Sequence, residues 1–341
     1  MSELRIAAIT GGINVPSRRF RISELVPYLA ELEINCTEIC PHVSKYPPAN
    51  RLLRIPWFAA AITERLSFPL RSLGFDAVIL QREMISTIAS LEPLIPAPRV
   101  LDVDDAIYLH RGGRPARRIA DLCQLVVCGN GFLAERFSEW NANVCIIPTG
   151  VDTNKLRPAP EKSKGNRRVI GWIGTAANYR YLVLIERALR TILKRFGDVR
   201  LQIISNEFPD FLRDLGSQLD FRMWKPGIEN SLLPRLDIGI MPLEHSDWAR
   251  GKCSFKMLQY MSAGLPVVAT PVGMNSELLS LGEIGFSADS QDQWVDSLFH
   301  LLRADSDAER MGLCARELVE THFSLSVISR KWLRALQNLL T

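Results

Sequence analysis

The stretch Asp237–Glu277, DIGIMPLEHSDWARGKCSFKMLQYMSAGLPVVATPVGMNSE, admits few folds. Asp237–Pro242 is a short apolar run closed by a proline, the pattern of a buried strand, and Leu265–Thr270 is a second apolar run rich in β-branched residues. Between them Phe255–Ser262 repeats apolar residues at helical spacing. Ala263 and Gly264 close that helix, with Pro266 just beyond, since glycine takes the positive φ of a helix C-terminus at low cost. Strand, long loop, helix, strand is the unit of an open α/β sheet, where ligands gather at the carboxyl ends of strands.

The loop after the first of these strands brings Arg250, Gly251 and Lys252 to the helix, and Lys252 and Lys256 share one face if the helix begins near Lys252. Two ammonium groups at a helix N-terminus repel each other and the positive end of the dipole, so an anion is expected there, with a diphosphate the natural candidate. The alternative is a pair of solvated surface charges. A second loop, Thr270–Glu277, also follows a strand, and Gly273 in it lets a ligand approach the backbone.

Composition narrows the class. The 341 residues are 47% hydrophobic, enough for two domains with real cores. With no run of eighteen apolar residues and no charged-then-apolar leader, a cytoplasmic chain is expected. The net charge of +4 is too mild to suggest nucleic acid. Seven cysteines without a CxxC pair suggest reduced thiols, Cys36 and Cys40 included, and no metal site is expected.

The first half opens on a strand at Leu4–Thr10 followed by Gly11 and Gly12, which do not make a GxGxxG fingerprint. Arg18, Arg19 and Arg21 follow, either to meet phosphate or as solvated charges, then a helix over Ile22–Leu32 and a strand at Ile34–Ile39. Arg51–Leu73 mixes Trp57, Phe58, Leu66 and Phe68 with Arg51, Arg54, Arg65 and Arg71. It reads as a basic amphipathic surface for anionic lipid, or as a packed helix with a charged outer face, interrupted at Pro56 and Pro69. Strands at Ala77–Gln81 and Arg99–Val103 lead to Asp102, Asp104 and Asp105, which bind a cation, cap the next element, or serve acceptor binding and proton handling through Asp104 or Asp105. His110 is a lone candidate for contact with a substrate. Strands at Leu125–Cys128 and Val144–Pro148 complete this half, and the polar stretch Arg157–Arg168 reads as a linker.

The second half repeats the alternation. Strands are expected at Val169–Ile173, Val199–Ser205 and Phe221–Trp224, and helices at Tyr181–Phe196, Asp292–Arg303, Ala308–Glu320 and Ser324–Leu340. Such alternation argues parallel, doubly wound sheets. Trp224 either stacks on a base or fills the core.

Met261, the run Gly264–Thr270, Gly273 and Glu277 resemble the nucleotide-sugar-binding segment of retaining glycosyltransferases of family 4, within glycosyl transferases group 1. Pro148-Thr149-Gly150-Val151-Asp152 resembles the hinge signature of that family. The resemblance implies an α/β, GT-B fold: two doubly wound Rossmann-like domains facing a cleft. Residues 1–157 would bind the acceptor, 158–322 the nucleotide sugar, and the terminal helix at 323–341 would cross back to the first domain. The family usually carries two glutamates eight residues apart, where this chain has Gly251 and Gln259. Gln259 still suits a ribose hydroxyl, whereas Gly251 does not replace a carboxylate.

By the same resemblance, Lys252, Lys256, Arg180 and Gly12 serve the donor diphosphate. Thr175, Trp224, Gln259, Gly273, Met274, Asn275 and Glu277 serve nucleotide and sugar, Arg18 and Arg21 the acceptor, and Asp104, Asp105 and His110 catalysis. The implied reaction moves a hexose-type sugar from a nucleotide diphosphate sugar to a hydroxyl of a glycan, a lipid-linked or a small-molecule acceptor, with retention, without a required cofactor, and with possible peripheral membrane contact at the inner face. A non-catalytic nucleotide-sugar-binding protein and a nucleotide-sugar epimerase are the alternatives on the same fold.

Overall fold

The computed structural model describes residues 3–96, 98–160 and 168–341. The chain divides into two compact units. One runs up to Gly150 and includes Gly251–Cys253 and Leu325–Thr341; the other holds Val151–Arg250 and Ser254–Ser324.

The first unit is built on β1 (Leu4–Ile9), β2 (Ile34–Ile39), β3 (Ala77–Gln81), β4 (Arg99–Val103), β5 (Leu125–Cys128) and β6 (Val144–Ile146), all parallel, in the order β2-β1-β3-β4-β5-β6. Strands such as AVILQ and LVVC are apolar throughout because both faces of a parallel sheet are covered. The strand order reverses between β1 and β3, so the crevice outside their carboxyl ends is the switch point of this sheet.

The single helix expected over Ile22–Leu32 is instead three helical segments, Pro16–Arg18, Arg19–Ser23 and Val26–Ala30. Pro16 and Pro27 each stand in a first turn, where the missing N–H is harmless, and so open segments rather than extend them. In the basic stretch, Pro56 likewise falls in the first turn of the helix Arg54–Arg65 and does not break it. Arg65 and Phe68 are fully buried, which removes them from any surface. Arg65 donates to the carbonyls of Val43, Ala61 and Met84, each at 3.0 Å, because a buried guanidinium must satisfy its donors locally. Phe58 and Leu66 stay exposed, and beside them Leu52, Ile55 and Leu70 are 85%, 83% and 72% exposed, with the exposed Arg51, Arg54 and Arg71.

The second unit repeats the plan with β7 (Val169–Ile173), β8 (Arg200–Ser205), β9 (Leu219–Met223), β10 (Ile238–Met241), β11 (Val267–Ala269) and β12 (Gly285–Ser287). They are parallel in the order β12-β11-β10-β7-β8-β9, and the reversal falls between β7 and β10. The helix expected over Tyr181–Phe196 divides into Tyr179–Leu184 and Glu186–Arg195. Gln291 fills the break: its Oε1 accepts from the Ala188 N–H at 2.8 Å and its Nε2 donates to the Leu184 carbonyl.

The boundary between units falls after Gly150, earlier than residue 157. The Val151 N–H donates to the Phe323 carbonyl at 2.9 Å, and Arg316 donates to the carbonyls of Thr153 and Leu156, both at 2.8 Å, so this segment is tied into the second unit. Most of the linker expected at Arg157–Arg168 lies outside the described residues. The final helix, Leu325–Leu340, belongs to the first unit. There Leu325, Ile328, Trp332 and Leu336 share a core with Ile22, Leu25, Leu29 and Ile34. Trp332 is 1% exposed, so Trp332→Ala removes a large buried ring and is expected to cost about 3–5 kcal/mol in urea denaturation. A loss below about 1 kcal/mol would show that the helix does not hold this core.

Candidate functional site

In the second unit, β7 ends at Ile173 and Gly174 follows. Lys256, in the first turn of the helix Phe255–Ser262, lies across that glycine: its Nζ is 2.8 Å from where a Cβ on residue 174 would stand and 4.9 Å from the centre of the Trp172 ring. A side chain at 174 would displace the ammonium from the end of the strand. The loops after β10 and β11 border an open pocket of about 350 Å³ lined by His245, Ser246, Asp247, Arg250, Pro271, Val272 and Gly273. Gly273 adopts φ 54°, and a Cβ there would stand 2.6 Å from the Arg250 carbonyl oxygen, so only glycine lets the two loops close on each other.

One residue expected at the nucleotide sugar holds these loops. Asn275 is fully buried; its amide donates to the carbonyls of Thr270 (3.0 Å) and Met241 (3.4 Å) and its oxygen accepts from Ser254 Oγ at 2.6 Å. With both ends occupied, it fastens the two loops rather than binding a ligand. Met274 is buried and has only its backbone to offer. The other expected donor residues are arranged differently. Arg180 is exposed, stacked 4.7 Å from the Tyr181 ring centre, donating to the Tyr181 hydroxyl at 2.7 Å and 3.3 Å from Glu244. Thr175 is exposed and accepts from Asn178 at 2.9 Å. Trp224, 36% exposed beyond β9, does not fill the core. Gln259 is buried on its helix, and Glu277 is exposed in the first turn of Met274–Ser280.

The shared helical face expected for Lys252 and Lys256 does not form. Ser254 at φ 46° interrupts the backbone, the helix starts only at Phe255, and Gly251–Cys253 belongs to the first unit. There the Lys252 carbonyl accepts from Asn130 Nδ2 at 3.0 Å, while Asn130 Oδ1 caps the helix Gly131–Ser138. A Cβ on Gly251 would stand 2.7 Å from the Ala106 Cβ and 2.9 Å from its nitrogen. The close approach of Ala106 is why no carboxylate occupies position 251. Cys253 donates from Sγ to the Asp104 carbonyl at 3.2 Å, and burial pushes its thiol well up, so it stays protonated.

The first unit corrects the reading of its charges. Arg21 is buried and forked onto Asp102, with Nε 3.2 Å from Oδ2 and Nη2 on Oδ1, and its Nη1 donors reach the Ile147 carbonyl at 2.9 Å and Thr149 Oγ1 at 3.4 Å. Four of its five N–H donors are thus engaged within the unit. Arg18 is half-buried and donates to Glu38 at 2.8 Å. Asp104 and Asp105 are neither caps nor a cation site but partners of Arg82, which donates to Asp104 Oδ1 and, at 2.6 Å, to Asp105 Oδ2. Burial by itself would raise the Asp104 carboxyl; the Arg82 guanidinium overcomes it and holds the group below the usual range. A carboxylate so held is a poor proton acceptor and a good fixed charge. His110 is exposed, just ahead of the left-handed run Arg111, Gly112, Gly113. Gly12 adopts φ 122° beside the Pro41 carbonyl.

Sequence reasoning missed Arg82 and Lys45. Arg82 had a signal, because it directly follows an apolar strand, where α/β sheets place functional groups. Lys45 lies in an irregular stretch with no periodicity to flag it. Among the described residues no group of three or more His, Cys, Asp or Glu side chains is placed to hold a metal ion. None of their helices is long and apolar enough to cross a membrane.

Residues 167–304 match the family described as Glycosyl transferases group 1. The chain has the GT-B fold, and the matched domain lies within its second half. Over 198 residues, which are 50% of this chain and 46% of the other, it is 24% identical to the D-inositol 3-phosphate glycosyltransferase of Corynebacterium urealyticum, so it spans about half the length of that curated relative. The sucrose-phosphate synthase of Thermosynechococcus elongatus superposes with a TM-score of 0.74 at 12% identity, covering 98% of this chain and 99% of that one. Anabaena HepE, solved in complex with UDP and glucose, gives 0.73 at 15%, covering 98% and 100%. The GT-B fold therefore extends beyond the matched domain.

Removing Arg82 leaves two carboxylates facing each other. Because Arg82 keeps the folded Asp104 below its unfolded value, the stability it contributes is present above about pH 4 and lost as pH falls through the folded value. Arg82→Met is expected to cost about 3 kcal/mol or more at pH 7, with the gap from wild type narrowing below about pH 4 in denaturation series. A gap independent of pH would remove the ion pair as its cause.

Proposed function

We propose that this chain transfers a hexose-type sugar from a nucleotide diphosphate sugar to a hydroxyl acceptor with retention of configuration. The observation that carries the reading is Lys256 laid across Gly174 at the switch point of the second sheet, where β7 and β10 part. As the bond from sugar to diphosphate breaks, negative charge grows on the departing oxygen. An ammonium already held by packing stabilises that charge without reorganising. In this reading Arg180 adds a second cation, Trp224 stacks on the base, Gln259 and Glu277 take hydroxyls, and Thr175 and Gly273 line the donor. In the first unit, Gly12 and Lys252 are candidate phosphate contacts, and Asp104, Asp105 and His110 serve the acceptor, a glycan, lipid-linked or small molecule.

A complex of HepE with UDP-glucose and one of TarM from S. aureus with fondaparinux and UDP, on chains of the same fold, support a nucleotide-sugar donor and a glycan acceptor. One observation favours a second reading. Ala106 leaves no room for a carboxylate at Gly251, so a non-catalytic nucleotide-sugar-binding protein is the alternative.

A thermal-shift screen of UDP, GDP, ADP and their sugars distinguishes these. One nucleotide is expected to raise the melting temperature of wild type by mass action, and Lys256→Ala to weaken that ligand tenfold or more while keeping the fold. Stabilisation identical in both proteins would sink the role of Lys256. Binding without release of nucleoside diphosphate, across glycan, lipid-linked and small-molecule acceptors, would favour the non-catalytic reading.

The reading extends to peripheral contact with an anionic membrane face through Leu52, Ile55 and Leu70 beside Arg51, Arg54 and Arg71. Co-sedimentation with vesicles should rise with their anionic lipid content and fall several-fold in an Arg51→Glu, Arg54→Glu, Arg71→Glu variant. Binding indifferent to lipid charge would remove this contact.

A further inference from the structure

At the switch point of the first sheet, Lys45, Gln81 and Thr10 gather near one glycine, and Gln81 Nε2 and Thr10 Oγ1 are buried without a partner among the described residues. The Lys45 Cδ and Cε pass 3.1 and 3.2 Å from where a Cβ on Gly11 would stand. Gln81, at the end of β3, accepts from the Gly11 N–H through Oε1 at 3.4 Å, which leaves its Nε2 buried and unpaired. Thr10 Oγ1, one residue before the glycine, is also buried and unpaired. Lys45 itself is 2% exposed; the Tyr46 ring, with its centre 5.5 Å from Nζ, is what the ammonium faces, and among the described residues no hydrogen bond or ion pair reaches it. The nearby carboxylates of Asp104 and Asp105 are already engaged by Arg82.

A buried amide N–H and a hydroxyl left unpaired oppose folding, as does an ammonium in a buried side chain with no counter-ion, and packing supplies no reason to gather them around one glycine. All three donate hydrogen bonds, and together they match a group that only accepts and carries charge. We propose that Lys45, Gln81 and Thr10 form a site in the first unit for an anionic oxygen group, a phosphate monoester or carboxylate carried by the acceptor. The word acceptor rests on the glycosyl-transfer reading; the site itself does not.

The electrostatics agree with a site for an anion. Burial, then the positive Arg82, lower Lys45 to about 8, against the opposing pull of Glu83, Asp104 and Asp105. With Arg82, Glu83, Asp104, Asp105 and Tyr46 as the titratable groups around it, affinity for an anion is expected to fall as pH rises through about 8 and the ammonium is lost. The same depression means that Lys45 opposes folding below about pH 8, where the folded chain must carry the buried charge, and ceases to do so as pH rises toward the unfolded value.

The test is calorimetric titration of the full chain with methyl phosphate and, in parallel, with UDP, on wild type, Lys45→Met, Gln81→Leu and Lys256→Ala. Wild type is expected to bind methyl phosphate, and Lys45→Met to weaken it tenfold or more with UDP affinity unchanged. At pH 7 Lys45→Met should melt no lower than wild type, any gain shrinking between about pH 8 and 10. Gln81→Leu should weaken methyl phosphate several-fold, and decides the question if Lys45→Met does not fold. No binding by wild type, or equal binding by the variants, overturns the proposal. So does a drop in UDP affinity in Lys45→Met, which would assign the anion to the donor instead. If Lys256→Ala leaves UDP binding intact while Lys45→Met still loses methyl phosphate, the donor reading fails and this site stands.

Discussion

Much of the first unit hangs on one charge pair closed off from water. Arg21, in the opening helical segments, is forked onto Asp102 of β4 and also donates to Ile147 and Thr149, where the chain leaves β6. One guanidinium thus joins the start of the chain, the middle of the sheet and the approach to the unit boundary. Neither side chain reaches solvent, so removing either partner would strand a charge, at a cost of about 3–5 kcal/mol. Asp102 pairs in register with Gln81 of β3, which makes the pair the floor on which the strand ends around Gly11 are set.

The two units repeat one device on unrelated local sequence. In each, a central strand ends in a glycine, Gly11 after β1 and Gly174 after β7, and a lysine from elsewhere lies across it, Lys45 in the first unit and Lys256 in the second. Both glycines stand where the strand order reverses. The absence of a Cβ is what lets an alkyl stem or an ammonium pass so close to the strand end. The consequence is a fixed positive charge at the place where an open α/β sheet gathers its ligands.

Several residues that look functional in the chain act by holding others. Asn275 and Gly273 fasten the loops after β10 and β11, Arg65 satisfies three carbonyls below the exposed basic stretch, and Asp104 and Asp105 fix Arg82. Ala106 excludes a side chain at Gly251, so that departure from the resembled pattern follows from packing within the first unit.

The alternation of strands and helices, the two doubly wound sheets and the loops bearing Gly11 and Gly273 were legible in the sequence, because apolar periodicity and strand-end glycines are written locally. Errors in elements came where a local signal was weak: the break that Gln291 stabilises before Glu186, and the left-handed Ser254 that separates Lys252 from Lys256. Which charges are spent on one another was not legible. Arg21 and Asp102 are 81 residues apart, and Lys45 meets Gly11 and the Arg82 cluster only because β1, β3 and β4 are neighbours in the sheet. Strand order is a property of the assembled core, and it alone decided which polar side chains are paired with one another and which are not.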